Sequence, residues 1–206
     1  MRAIGLEDIL GRERYGQTRD TVRRRVIDHK RTRRVAVGDH VTLVFEDRAT
    51  VWYQTQEMLW VEHITDLDAI REELQVYNQL LPSRDELAAT LLIEIADQER
   101  MREQFQRLLG LDRHVHLEVG GRRITGSFEG GRQTDDKISA VQYVRFPLDV
   151  AAGEALRRGS EVAIVVDHPN YRARTALPEP VRASIVEPFF DPALADAALR
   201  RVRDGS

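Results

Sequence analysis

The segment His114-Val115-His116-Leu117-Glu118-Val119-Gly120-Gly121-Arg122-Arg123-Ile124-Thr125-Gly126-Ser127-Phe128 marks the change from mainly helical to mainly strand patterns along the chain. Its first six residues alternate between polar and apolar side chains, which is typical of a strand with one covered face. A Gly-Gly pair then separates this strand from a second one, as in a two-residue hairpin turn. The segment therefore predicts an antiparallel, solvent-exposed hairpin whose valine and leucine side chains face inward.

Short elements follow this hairpin, and longer helices precede it. Downstream, the patterns predict strands at 139–146, 160–166 and 181–186 and helices at 150–158 and 192–203. Upstream, they predict a strand pair within 35–46 and helices at 4–10, 19–33, 51–64, 67–80 and 97–109. Thr18, Thr50 and Asp66 are the expected helix caps.

Residues 83–95 fit two structures. Ser83 and Glu86 have the spacing of a capping box, which predicts a helix. Residues 90–95 alternate and are rich in β-branched side chains, which predicts a strand. We favour the strand.

The order of these elements predicts an α+β fold. The N-terminal half is helix-rich with one hairpin-like strand pair, and the C-terminal half is mainly antiparallel β with short helices. Pro82-Ser83 is the best boundary, which gives a helical lobe at 1–82 and an α+β lobe at 83–206. We expect the two lobes to share a core.

Composition excludes several classes of protein. The 206 residues include no cysteine, which rules out disulfides, thiolate metal sites and cysteine nucleophiles in this chain. No apolar run reaches the roughly 20 residues of a membrane span. The first residues lack the apolar core of a signal peptide, so we expect a cytoplasmic protein.

Charge is unevenly distributed although the net charge is only −3. Residues 12–34 contain ten basic and three acidic residues, whereas residues 57–103 contain twelve acids and four arginines. We expect Arg23, Arg24 and Arg25 to contact acids of the second segment or of a neighbouring subunit. Nucleic acid is a less favoured partner, because domains that bind it are usually net basic.

Several motifs occur together along the chain. They are Leu43-Val44-Phe45-Glu46-Asp47, Gln54-Thr55-Gln56-Glu57-Met58-Leu59, Tyr77-Asn78, Glu86-Leu87-Ala88-Ala89-Thr90-Leu91-Leu92-Ile93-Glu94-Ile95 and Ser139-Ala140-Val141-Gln142-Tyr143-Val144-Arg145-Phe146. In this order the chain resembles DUF3501, a bacterial family without an established activity. The resemblance implies a link to rubrerythrin-like and iron–sulfur redox systems, and it assigns no catalytic residue.

The same motifs hold polar residues beside apolar neighbours. Buried polar groups are costly when unpaired, so we expect these residues to bind one another. We predict a half-buried network of Glu57, Glu94 and Arg145, with Gln54 and Asn78 at its rim. Gln142 belongs to the same set of candidate site residues.

His114, His116 and Glu118 would share one face of a strand, as zinc or non-haem iron ligands do. The alternative is an ordinary polar strand face that binds no metal, and we favour it. Asp167-His168 at a strand end is a weaker acid–base candidate. The polar loop at 129–137, with Arg132 and Lys137, is a weaker anion-binding candidate.

Three functions compete. We favour an accessory or regulatory protein that docks on a redox partner, with no cofactor of its own. A homo-oligomer is a further candidate assembly. The alternatives are a metal-dependent or acid–base enzyme using the Glu and His residues, and a nucleic-acid-binding protein using residues 12–34.

Overall fold

A computed structural model describes residues 1–97, 99–128, 133–134 and 137–205. The chain forms two compact units. Unit 1 consists of Met1–Thr32, Glu46–Arg84 and Glu187–Ser206, and unit 2 consists of Arg33–Phe45 and Asp85–Val186. The chain therefore passes between the units after residues 32, 45, 84 and 186. The third of these crossings lies two residues after the boundary predicted from the sequence.

Unit 1 is helical. Its α-helices are α1 (Arg12–Arg31), α2 (Arg48–Val61), α3 (Leu67–Tyr77) and α7 (Pro192–Arg203), together with the end of α6 (Glu179–Phe190). Helix α2 packs against α1, α3 and α7. The predicted terminal helix at 192–203 and the Asp66 cap of α3 are confirmed, since the Asp66 side chain accepts hydrogen bonds from two backbone amides of the first turn.

Helix α1 begins seven residues before its predicted start, and Thr18 lies inside it instead of capping it. The cause is Tyr15, which is fully buried on the same helix face as Val22 and Val26. These three residues recur at helical spacing and extend the apolar stripe by two turns. The predicted cap at Thr50 is also displaced, because Asp47 caps α2 and exchanges hydrogen bonds with Thr50.

Unit 2 contains two antiparallel sheets. The strands are β1 (Arg34–Val37), β2 (Val41–Phe45), β3 (Glu86–Ile93), β4 (Val115–Val119), β5 (Arg122–Thr125), β6 (Ser127–Phe128), β7 (Gln133–Thr134), β8 (Lys137–Ile138), β9 (Val141–Pro147), β10 (Val162–His168) and β11 (Tyr171–Ala176). The larger sheet has the order β1-β2-β3-β9-β6, the smaller sheet has the order β11-β10-β4-β5, and β7 pairs only with β8 among the described residues. The helices α4 (Met101–Arg107) and α5 (Val150–Arg157) and the first part of α6 also belong to this unit. The α+β fold class is confirmed.

Strand β3 settles the ambiguous segment, and the capping box predicted at 83–86 is wrong. Glu86 is the first residue of the strand, which pairs with β2 on one side and β9 on the other. Its central residues are buried on both faces, so the apolar run does not alternate clearly. This burial explains why the sequence also fitted a helix.

The hairpin of β4 and β5 forms as predicted, with Val115, Leu117 and Val119 buried. The prediction that the whole hairpin is exposed is wrong, because β4 lies between β10 and β5 and is covered. Only β5, at the edge of the sheet, faces solvent along most of its length.

The strand predicted at 181–186 is also wrong, since these residues belong to α6. Ile185, Val186 and Phe189 recur at the spacing of a helix face, and Pro180 is tolerated in the first helical turn. The strand that follows β10 in the chain is β11, which pairs with it and was not predicted, because its arginines and alanines favour a strand only weakly. No helix in the described part of the chain is long and apolar enough to cross a membrane.

Candidate functional site

An open cleft of about 260 Å³ lies in unit 1. Its apolar walls come from the N-terminal segment, the end of α2 and the start of α3: Leu6, Ile9, Leu10, Leu59, Ile64 and Ile70. The lining also includes the polar side chains of Arg12, Gln56 and Thr65. The cleft thus offers apolar contact over most of its surface and charge at one place.

Side-chain amides hold the N-terminal segment in position beside α2. Gln56 is buried and forms two hydrogen bonds with Leu10, accepting from its N–H (2.9 Å) and donating to its carbonyl oxygen (3.1 Å). Asn78 binds both backbone groups of Ile4 in the same way, at 2.8 and 3.0 Å. The backbone groups of Ile4 and Leu10 are therefore satisfied by side chains of the protein, which holds the N-terminal segment against α2 and α3.

Trp60 forms one side of the cleft and supports Arg12. The Arg12 guanidinium lies 4.4 Å from the centroid of the indole, and its Nη1 donates a hydrogen bond of 2.9 Å to the Trp60 carbonyl oxygen. Gly16, one turn further along α1, lets the indole lie close to the helix, because a Cβ atom there would come within 2.7 Å of Trp60 Cη2. Among the described residues, no carboxylate forms an ion pair with Arg12.

Glu57 lies on the same helix as Trp60 and binds α1. It accepts hydrogen bonds from the Tyr15 hydroxyl at 2.5 Å and from two nitrogens of Arg19 at 2.8 and 2.7 Å. The hydrogen bonds from Arg19 hold the pKa of Glu57 below its ordinary value, against the opposing effect of burial. Burial and the Glu57 carboxylate together raise the pKa of Tyr15.

A second charged group in unit 1 is structural. Arg48 is almost completely buried and binds the carboxylates of Asp8, at 2.7 Å, and Asp196. Asp8 also accepts a hydrogen bond at its backbone oxygen from the Trp52 indole, at 2.9 Å. No motif in the sequence predicted this group, although a run of charged residues at 46–48, directly after a buried strand, pointed to it.

The predicted network of Glu57, Glu94 and Arg145 is wrong. Arg145 stands opposite Ala88 in the pairing of β9 with β3, whereas Glu94 is six residues beyond Ala88, about 20 Å along an extended chain. Arg145 forms a salt bridge with Glu86 at the other end of β3.

The remaining members of that predicted site have separate partners. Glu94 accepts hydrogen bonds from Thr42 and Arg34, each at 2.7 Å, and the Thr42 bond is the main cause of its lowered pKa. Gln54 donates to Glu46 at 3.3 Å, and Gln142 donates to the backbone of Ser139 at 3.2 Å. Spacing along the chain identified polar residues that do find partners, but it did not identify the partners.

The three arginines of α1 that were predicted to bind a partner each have different neighbours in the structure. Arg24 binds the backbone of Asp20 and the hydroxyl of Thr21, within its own helix. Arg23 contributes to the lowered pKa of Glu57 through its charge. Arg25 lies close to Gly205 near the C-terminus.

The polar face of the smaller sheet in unit 2 carries the predicted metal ligands. His114 Nδ1 and His116 Nε2 each lie 3.1 Å from the same oxygen of Asp167, whose other oxygen accepts from Arg123 at 2.8 Å. Burial raises the pKa of Asp167, and the hydrogen bonds from the two histidines outweigh it, so the pKa is lowered overall. Glu118 shares this face but binds Arg123 and Arg174.

These contacts already use most of the ring nitrogens and carboxylate oxygens that a metal ion would need as ligands. His116 Nδ1 also bonds to Thr125 at 3.1 Å, and Glu118 is occupied by arginines. Within the described ranges, no group of three or more histidine, aspartate or glutamate side chains is arranged to hold a metal. His168, the other acid–base candidate, uses Nε2 to bond the Leu109 carbonyl oxygen and Nδ1 to accept from the Asn170 amide. Most of the loop at 129–137, including the Arg132 and Lys137 side chains, lies outside the described residues.

Comparisons with known proteins agree with one another. A family model described as "Protein of unknown function (DUF3501)" matches residues 3–189. A crystal structure of a novel protein of unknown function from Burkholderia pseudomallei K96243 is similar over 90% of this chain and 98% of that chain, with 35% sequence identity and a TM-score of 0.84. No curated protein matches the chain.

Proposed function

Because the chain belongs to the DUF3501 family, whose function is unknown, we propose its role from the site: it binds a small, mostly apolar molecule in the cleft of unit 1. We further propose that it acts as an accessory or regulatory protein through this binding, without chemistry of its own. The observation that carries the proposal is the cleft itself, whose walls are mostly apolar.

The volume of the cleft limits the size of the ligand. At about 30 Å³ for each water-sized group, 260 Å³ holds roughly nine such groups. A linear chain of eight carbons or a single substituted ring has this size.

The acid–base alternative has much weaker support. In the cluster of His114, His116 and Asp167, the imidazoles and the carboxylate already bind one another. Only Nε2 of His114 is without a partner among the described residues, and one imidazole nitrogen on an open sheet face does not define a substrate site.

The redox role implied by the family resemblance stays a prediction. The proposed ligand makes this role testable. A ligand bound in the cleft would change how the protein docks on a partner. Arg23, Arg24 and Arg25 of α1, which lie outside the cleft, are the proposed docking residues.

Titration with 1-octanol tests the binding proposal. Trp60 lines the cleft while Trp52 is fully buried, so a ligand should change the fluorescence of Trp60 and produce heat in calorimetry. For a ligand of this size we expect a dissociation constant of about 0.1–1 mM. Trp60→Phe should lose the fluorescence change.

A matched pair of variants locates the binding. Ile9→Phe adds bulk inside the cleft and should weaken octanol binding at least tenfold. Ile27→Phe makes the same change on α1, where Ile27 is half exposed and outside the cleft, and should have no effect. Non-saturable binding, or equal effects of the two variants, would refute the proposal.

A further inference from the structure

Arg12 gives one end of the cleft a charge that the protein does not neutralise. A guanidinium has five N–H donors, and one of them is used in the hydrogen bond to the Trp60 carbonyl oxygen. The described residues place no carboxylate in an ion pair with this side chain. Glu13, the next residue, lines a neighbouring surface pocket together with Arg12 and Trp60, and among the described residues it forms no ion pair with Arg12.

Trp60 fixes the position of this charge. The indole lies under the guanidinium at 4.4 Å and is itself held by Gly16 and by the edge of Tyr15, whose ring centroid is 6.0 Å away. A charged group held in this way loses little freedom when it binds a ligand, which favours binding. The remaining donors of Arg12 are therefore available at a fixed point beside the apolar walls.

We propose that the natural ligand is a small monocarboxylate, with its apolar body between Ile9 and Ile64 and its carboxylate on Arg12. This inference rests on the proposed binding function and adds the ligand class. The planar guanidinium matches a carboxylate in shape and charge. One unpaired arginine balances one negative charge, so a monocarboxylate suits the site better than a doubly charged phosphate ester.

Three probes of equal chain length separate the charge from the apolar body: octanoate, 1-octanol and octylamine. At pH 7.5 the first is negative, the second is neutral and the third is positive. Calorimetry of the wild-type chain should give about tenfold tighter binding for octanoate than for octanol, which is the usual size of a charge-assisted hydrogen bond at a partly open site. Octylamine should bind most weakly. Added salt should reduce the preference for octanoate.

Variants of two arginines on α1 test the assignment. Arg12→Gln should abolish the preference for octanoate over octanol. Arg14→Gln should not change it, because Arg14 is exposed and its ion pair is with Asp204. Arg12→Lys should keep part of the preference, since the charge is retained while the planar group is lost. Thermal unfolding of each variant shows whether it is folded.

The outcomes distinguish the two proposals. If octanol and octanoate bind equally in the wild-type chain, or if Arg12→Gln keeps the preference, the carboxylate inference is wrong and the binding function stands. If octylamine binds best, the inference is also wrong. If none of the three probes binds saturably, the proposed function itself fails.

Discussion

Glu57 shows how one residue connects two helices of unit 1. Its carboxylate lies on α2 and receives three hydrogen bonds from Tyr15 and Arg19 on α1. Tyr15 is fully buried and its ring meets the edges of Trp52 and Trp60. The ionised carboxylate therefore stabilises the aromatic layer that supports the cleft.

Acid should weaken this contact. Because Arg19 holds the pKa of Glu57 below the ordinary value of 4.5, the ionised form stabilises the folded chain above that pH, and this stabilisation is lost as the pH falls through the lowered pKa. Glu57→Gln should lower the free energy of unfolding at pH 7 by about 1 kcal/mol, because the pair is partly exposed. It should also lose less stability than the wild-type chain between pH 7 and pH 3.

Urea unfolding at both pH values measures the effect. Glu72→Gln is the control, since Glu72 lies on the exposed side of α3. Parallel loss of stability in the wild-type chain and in Glu57→Gln would contradict the assignment.

The contact between α1 and α2 depends on the absence of a side chain at residue 16. Helix interiors normally disfavour glycine, by about 1 kcal/mol relative to alanine. At Gly16 that cost is offset by close packing of Trp60, since a Cβ atom would meet the indole at 2.7 Å. Gly153 in α5 has no such neighbour within 4 Å.

The same substitution should therefore have opposite effects at the two glycines. Gly153→Ala should raise the free energy of unfolding by about 1 kcal/mol. Gly16→Ala should lower it by about 1 kcal/mol, because overpacking outweighs the gain in helix propensity, and it should shift the emission of Trp60. Chemical unfolding followed by fluorescence and by circular dichroism measures both. A stabilised Gly16→Ala with unchanged emission would show that Trp60 does not lie against α1.

The elements differ in how well local sequence predicts them. The alternation of polar and apolar residues located β4 and β5. The Asp66 cap located α3, and the helical period of apolar residues located both α3 and α7. The start of α1 and the helical state of 181–186 were missed, because burial of Tyr15 and Ile185 depends on distant parts of the chain. Tertiary contacts override weak local preference at such places.

At the scale of the whole molecule, the two units are interleaved along the chain. Residues 33–45 form β1 and β2 of unit 2, although helices of unit 1 precede and follow them. The α+β class follows from element types alone, whereas the assignment of elements to units depends on pairing of β2 with β3, more than 40 residues later. No local pattern encodes such a pairing.

Sequence motifs could not locate the candidate site, for a related reason. Three segments, at 6–12, 56–60 and 64–70, build the cleft, and each reads as an ordinary helix end or turn. Its functional group, Arg12, is one of ten basic residues in 12–34 and differs from the others only through Trp60 and the cleft beside it. The polar residues of the motifs were easier to find, and the structure gives most of them local structural partners.

A nuclear magnetic resonance titration of the ¹⁵N-labelled chain with octanoate tests the central claim most directly, because it reports where the ligand binds. We predict saturable shifts of backbone amides at 6–12, 59–61 and 64–70, and a shift of the Trp60 indole N–H, with the Trp52 indole unchanged. Largest shifts on the polar face of unit 2, around His114 and Asp167, or shifts that grow linearly without saturation, would contradict the account.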